Sequence, residues 1–196
     1  MVMRNAPRTE LLSLAFSIVS SWSNVEQRQR DFIILMLGGN ASVATAAYLA
    51  LDGKSAKNAV LLACAKKSLN SEELAYLKAI IKASSSFMKF RNKLAHWSIA
   101  RVEGIGGHLA LKDPDDDGEG TSAHNGIYLF SKNELITQKK ASETVWKCYH
   151  RLICLYNAKG NPASDESYMH ELRHGLSNLL LTLDKELLLP LIPPIS

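Results

Sequence analysis

The residues best equipped for chemistry lie together in Phe90-Arg91-Asn92-Lys93-Leu94-Ala95-His96-Trp97. A guanidinium such as that of Arg91 cannot shed its proton. It is costly to bury unless carboxylates, carbonyls or a ligand phosphate take up its N–H donors. Asn92 and His96 are four residues apart and are therefore neighbours on a helix surface, with Lys89 and Lys93 beside them. At about 100° per residue, the step from Arg91 to His96 turns these two side chains roughly 140° apart. They converge if the helix loosens after Leu94, or if two copies of the helix face each other, so the spacing suits a site shared across a dimer.

The helix that must position them reads from Ser71 to about Trp97. Asn70 stands at the N-cap and Glu73 three residues on, so that each satisfies an otherwise orphaned backbone N–H. On a 3.6-residue period Leu77, Ile80, Ile81, Phe87, Met88 and Leu94, with the small Ser84 and Ala95, share one broad face. Arg91 falls in the middle of that face and requires a partner, elsewhere in the fold or on another molecule.

The pattern Arg-Asn-x-x-x-His, flanked by Phe90, Leu94 and Ala95, resembles the signature of the HEPN superfamily. The resemblance implies an all-α, up-and-down multi-helix bundle that dimerises through this helix. In active members it implies a metal-independent endoribonuclease whose site is built from both copies of the motif, with His96 and Arg91 carrying the chemistry and Asn92 orienting them. The implied partners are RNA, a second copy of the chain and an antitoxin protein, since many such proteins are toxins of toxin-antitoxin pairs or parts of phage-defence systems. Others keep the fold without cleavage. The alternative is thus a catalytically silent dimerisation or nucleic-acid-binding module, in which Arg91, Asn92 and His96 only tie helices together. Exposure of His96 in a cleft with Arg91 favours the first reading, and burial of both against carboxylates such as Glu26 or Asp31 the second. In a subgroup regulated by a nucleotidyltransferase, a tyrosine two positions after the histidine receives AMP; here that position is Ser98, and the resemblance does not extend to this regulation.

The chain has 196 residues, 46% of them hydrophobic, enough for one sizeable core, and a single domain over residues 1–196 is expected. Cys64, Cys148 and Cys154 show no C-x-x-C or Cys/His metal spacing, which fits reduced thiols in a cytoplasm. No apolar run approaches 18 residues and no basic leader precedes an apolar core, so a cytoplasmic protein without membrane association is expected.

Apolar periodicity from about Arg8 to Leu37 reads as two helices, or as one bent near Ser23-Asn24, ended by Gly38-Gly39-Asn40. Residues 41–51 and 55–69 read as two short helices around the turn Asp52-Gly53-Lys54, with Tyr48 and Cys64 as core residues. After Trp97 the helical period stops. Ile99 to Leu111 and Gly126 to Phe130 read as an antiparallel hairpin, a small insertion over about 99–130. Helix resumes at Ser131, capped with Glu134, and runs to about Asn157. A last helix runs from about Asp165 to Leu188 and leads into a proline-rich arm.

Two metal-like patterns carry no metal assignment. Asp113, Asp115, Asp117 and Gly118 match the opening of a calcium loop, but its twelfth position is His124, where a bidentate glutamate belongs, so a solvated loop is expected. His170-Glu171-Leu172-Arg173-His174 satisfies the H-E-x-x-H pattern, but apart from Asp184 and Glu186 the remaining chain offers no third ligand at a recognised spacing, so a zinc hydrolase is the lesser reading. No cofactor is expected.

Residues 1–112 carry 15 basic and 7 acidic groups, while residues 113–120 carry five acids and no base. The motif therefore lies in the basic part of the chain. Lys89, Lys93 and Arg101 stand close to His96, suited either to a phosphate backbone or to a solvated lysine face.

Overall fold

The computed structural model describes residues 6–38, 40–100, 107–114, 126–161 and 164–187. Six helices and a small antiparallel sheet make up this part of the chain: α1 (Ala6–Leu37), α2 (Ala41–Leu49), α3 (Gly53–Ser68), α4 (Ser71–His96), β1 (Ser98–Ile99), β2 (His108–Lys112), β3 (Ile127–Ser131), α5 (Lys132–Lys159) and α6 (Glu166–Leu187). The fold is all-α, a multi-helix bundle with a small β insertion. No helix among the described residues is long and apolar enough to cross a membrane.

The contacts between helices fix their directions. Glu10 pairs with Lys132 at 2.6 Å and Phe32 packs edge-on to Tyr156, so α1 and α5 run parallel. Glu73 pairs with Lys159 at 2.7 Å, which sets α4 antiparallel to α5. Tyr76 meets Ser177 and Glu72 approaches Arg173, which aligns α6 with α4. The long helices α1, α4, α5 and α6 thus alternate up and down, as expected, while the short α2 and α3 bridge α1 to α4. Trp22, Phe32, Leu61, Leu77, Ile80, Tyr149, Leu152 and Leu176 fill the shared core. The Arg151 guanidinium of α5 lies over Gly175 of α6, in the space a Cβ would occupy.

The first pattern resolves as one uninterrupted helix, with no break at Ser23-Asn24. Trp22 and Val25, on either side of the proposed bend, are both buried and continue a single core stripe. The antiparallel hairpin across the acidic loop is formed, by β2 and β3, but residues 99–111 are not one strand. Trp97 is extended at the C-cap of α4, and Ser98–Ile99 form a short strand of their own, pairing with Lys112 and Leu111. Gly107, at φ 79°, stands just before β2, which pairs with β3 from His108↔Ser131 to Lys112↔Ile127. The result is a three-stranded sheet in the order β1-β2-β3. The acidic residues 115–119 and the C-terminal arm beyond Leu187 lie outside the described residues.

Both capping boxes read from sequence are formed, at Asn70/Glu73 and Ser131/Glu134. The first also closes the bundle. Glu73 is 1% exposed, accepts from the Asn70 backbone N–H at 3.0 Å and from Lys159 Nζ at 2.7 Å, and so pins the start of α4 to the end of α5. Glu73→Ala removes the cap and strands the lysine. It should cost about 2 kcal/mol in urea denaturation, whereas Glu73→Gln, which keeps an acceptor, should lose less.

Candidate functional site

The site residues belong to the second half of α4, whose position is set from four directions. Buried Phe87 packs against Trp22 of α1 with centroids 6.4 Å apart, and Phe90 meets Phe130 of β3 edge-on at 5.0 Å. At mid-helix the Lys54 ammonium of α3 donates to the Ser84 carbonyl at 3.1 Å, and the buried Tyr149 hydroxyl of α5 hydrogen-bonds the Ser84 side chain. Ser84 and Ser85 each turn their hydroxyls back to the carbonyl four residues earlier, a bonding pattern that bends helices.

Buried positions on α4 step from Glu73 through Leu77, Ile80, Ser84 and Phe87. One more step of the same stripe arrives at Arg91, which is half-buried. Its Nη1 donates to Asn92 Oδ1 at 3.3 Å. Its Nε is buried and has no hydrogen-bond partner. Asp31 is engaged by Arg28 and Arg30 instead, and Glu26 is exposed, so neither carboxylate considered above as a structural partner serves Arg91. Asn92 and His96 are exposed on the outer side of the helix, His96 in its last turn. Within one protomer the structure joins Arg91 to Asn92 and does not join Arg91 to His96, in agreement with the helical angle between them.

The three cations proposed for RNA are placed differently. Lys89 is exposed and continues an outer row with Lys78 and Lys82. Between residues 53 and 96 the only acids are Glu72 and Glu73, against nine lysines and arginines, so this stretch of the chain is strongly basic. Lys93 is half-buried, its ammonium 4.6 Å from the Trp97 ring centre and 4.7 Å from that of Tyr128, and the two rings lie 4.7 Å apart. Burial lowers its pKa, and the nearby Asp113 partly opposes this. Arg101 lies outside the described residues. Sequence reading missed the aromatic seat of Lys93. The i, i+4 spacing of Lys93 and Trp97 is a usable signal for half of it, whereas Tyr128 arrives only through the pairing of β3.

His170 and His174 lie exposed on α6 with their rings stacked at 6.4 Å, and His174 Nδ1 is 3.3 Å from Asn178 Nδ2. Among the described residues no third His, Cys, Asp or Glu joins them in a metal-binding cluster. Comparisons with protein-family models, with curated proteins and with solved structures return no match.

Burial lowers the Lys54 pKa to about 8, with Glu26 opposing the shift. A lysine that gives up its proton more readily when folded makes stability rise with pH between about 8 and its unfolded value near 10.5, and this gain disappears as pH falls through 8. Tyr48 and Tyr149, whose hydroxyls are pushed up by burial, act the opposite way above pH 10. Urea midpoints of the wild type should therefore climb relative to those of Lys54→Met between pH 8 and 9.5. Parallel curves would show that the Lys54 ammonium carries no desolvation cost.

Proposed function

We propose that the chain is a metal-independent endoribonuclease of the HEPN type, acting as a homodimer in a toxin-antitoxin or phage-defence setting. The supporting observation is the state of Arg91: a guanidinium at the end of a buried stripe, with a buried Nε–H that lacks an acceptor and, among the described residues, no carboxylate paired with it. An unsatisfied charged donor of this kind is costly, and a phosphate oxygen would satisfy it. His96 is exposed, as a general base that must reach its substrate has to be, although within one chain it does not meet Arg91.

In this mechanism His96 takes the proton of a ribose 2′-hydroxyl, the oxygen attacks the adjacent phosphorus, and the P–O5′ bond breaks, the departing 5′-oxygen taking up a proton from solvent. Arg91 stabilises the charge that accumulates on the phosphorane oxygens, with Asn92 holding its Nη1. The nucleophile comes from the substrate, so no metal-bound water is needed. Because Arg91 and His96 of one helix point apart, two copies of α4 crossing near Asn92 supply the pair. Ser85, Ser86 and Ala95 offer small uncharged surface to such a crossing, while Lys78, Lys82 and Lys89 oppose it by like-charge repulsion.

Purified protein should cleave RNA in chelator, leave a 2′,3′-cyclic phosphate and spare DNA, which lacks the attacking hydroxyl. His96→Ala should lose on the order of a hundredfold in rate while remaining folded, the usual scale for a general acid–base group. Arg91→Ala should lose comparable activity. A folded His96→Ala that cleaves like the wild type excludes this base, and a wild type that binds RNA without cutting it identifies the chain as the silent module.

The dimer should be salt-dependent in a specific sense. Screening between 50 and 300 mM salt weakens the lysine repulsion, so sedimentation equilibrium without RNA should show tighter self-association at the higher concentration. A monomer at micromolar concentration under both conditions, with or without an RNA oligomer, removes the shared site.

A further inference from the structure

A second cluster with chemical potential lies on α5, away from the Arg91 motif. Cys154 follows His150 by one turn, and its Sγ is 3.8 Å from His150 Nε2. The imidazole is stacked on Trp146, with centroids 5.3 Å apart and planes inclined by 14°. The Arg28 guanidinium lies 5.1 Å above the Trp146 ring and reaches Asp31 at 3.6 Å. The ring is thereby held in one plane, and its Nδ1 is buried with no hydrogen-bond partner.

The nitrogen that faces the sulfur is Nε2, placed where an Nε2–H can donate to a thiolate on Cys154. At the other two thiols burial outweighs the groups that favour a thiolate, Arg151 near Cys148 and a backbone hydrogen bond at Cys64. Cys148 is fully buried and burial pushes its thiol up to about 12, and desolvation also raises the half-buried Cys64. Cys154 is partly exposed.

We propose that the His150–Cys154 pair is a thiol–disulfide exchange site, at which Cys154 takes up a small thiol from its symmetrical disulfide. Cys154 gives its proton to solvent, and the Nε2–H of His150 holds the resulting thiolate. The thiolate attacks one sulfur of the disulfide, a new S–S bond forms to Cys154, and the old S–S bond breaks. The departing thiolate takes up a proton from solvent. One disulfide replaces another, so no external oxidant or reductant is consumed. His150 acts as a positioning residue, with Trp146 and Arg28 fixing its ring.

The test uses native protein and oxidised glutathione, with acid quenching and peptide mass mapping over time. Cys154 should form the mixed disulfide roughly tenfold faster than Cys64, and Cys148 should react only after denaturation. His150→Phe keeps an aromatic ring on Trp146 but has no N–H, and should slow Cys154 about five- to tenfold, while His150→Gln, which restores a donor, should recover most of the rate. Thermal melts of each variant separate loss of the donor from loss of fold. Should His150→Phe not fold, the ranking of the three wild-type thiols and the His150→Gln rate still decide. Cys64 reacting as fast as Cys154, or a folded His150→Phe reacting like the wild type, would overturn the assignment. The outcome is independent of RNA cleavage.

Discussion

The structure depends on the burial demand of α4. Its inward stripe must be covered by α1, α5 and α6 at once, because Leu77, Ile80 and Phe87 are all withdrawn from water. Burying such side chains contributes about 1.5–3 kcal/mol each, which outweighs the cost of ordering a 26-residue helix only if the packing is continuous. Continuity carries the stripe to Arg91, where apolar packing gives way to a permanent cation. The same geometry that stabilises the bundle therefore delivers a guanidinium to its end, half withdrawn from solvent and held by Asn92 alone among the contacts described. A flexible arginine on an outer face would make a weaker ligand, since ordering it on binding costs side-chain entropy.

Much of this was legible in the sequence because the signals were local. Capping boxes operate over four residues, and both formed where Asn70/Glu73 and Ser131/Glu134 indicated. Helical periodicity located the long helices and placed Arg91 on the inward face. What escaped was non-local. Lys159 reaches Glu73 across 86 positions, and Lys54 reaches Ser84 across 30, with no spacing rule to announce either. The third strand escaped for another reason: two residues are too few for an alternation pattern, and Ser98–Ile99 become a strand only because β2 offers them a partner. In the site itself, residue types and angles were readable, while the exposure of His96 and the missing acceptor at Arg91 Nε could come only from the packed structure.

Charge and packing are separated on α4 in a way that bears on its partners. It packs against four other helices, while its outer face presents lysines with no compensating acid after Glu73. Lys93 shows the intermediate case: its ammonium rests against two aromatic rings and couples the last turn of α4 to the sheet. The orientation of Trp97 beside His96 is thereby tied to strand β3, so the small sheet shapes the surroundings of the motif while also supplying Leu109, Leu111 and Phe130 to the core.

The parallel pairing of α1 with α5 has a consequence for how the chain is made. About 120 residues separate Glu10 from its partner Lys132, and α1 and α5 share a major seam of the core. During synthesis at roughly 5–20 residues per second, α1 emerges on the order of ten seconds before the helix that covers it. For that interval Ile18, Trp22 and Phe32 can be shielded only by α2, α3 and then α4, or by a chaperone. A nascent chain halted before α5 would present this apolar stripe to its neighbours, so the vulnerable species is the unfinished chain and not the completed bundle.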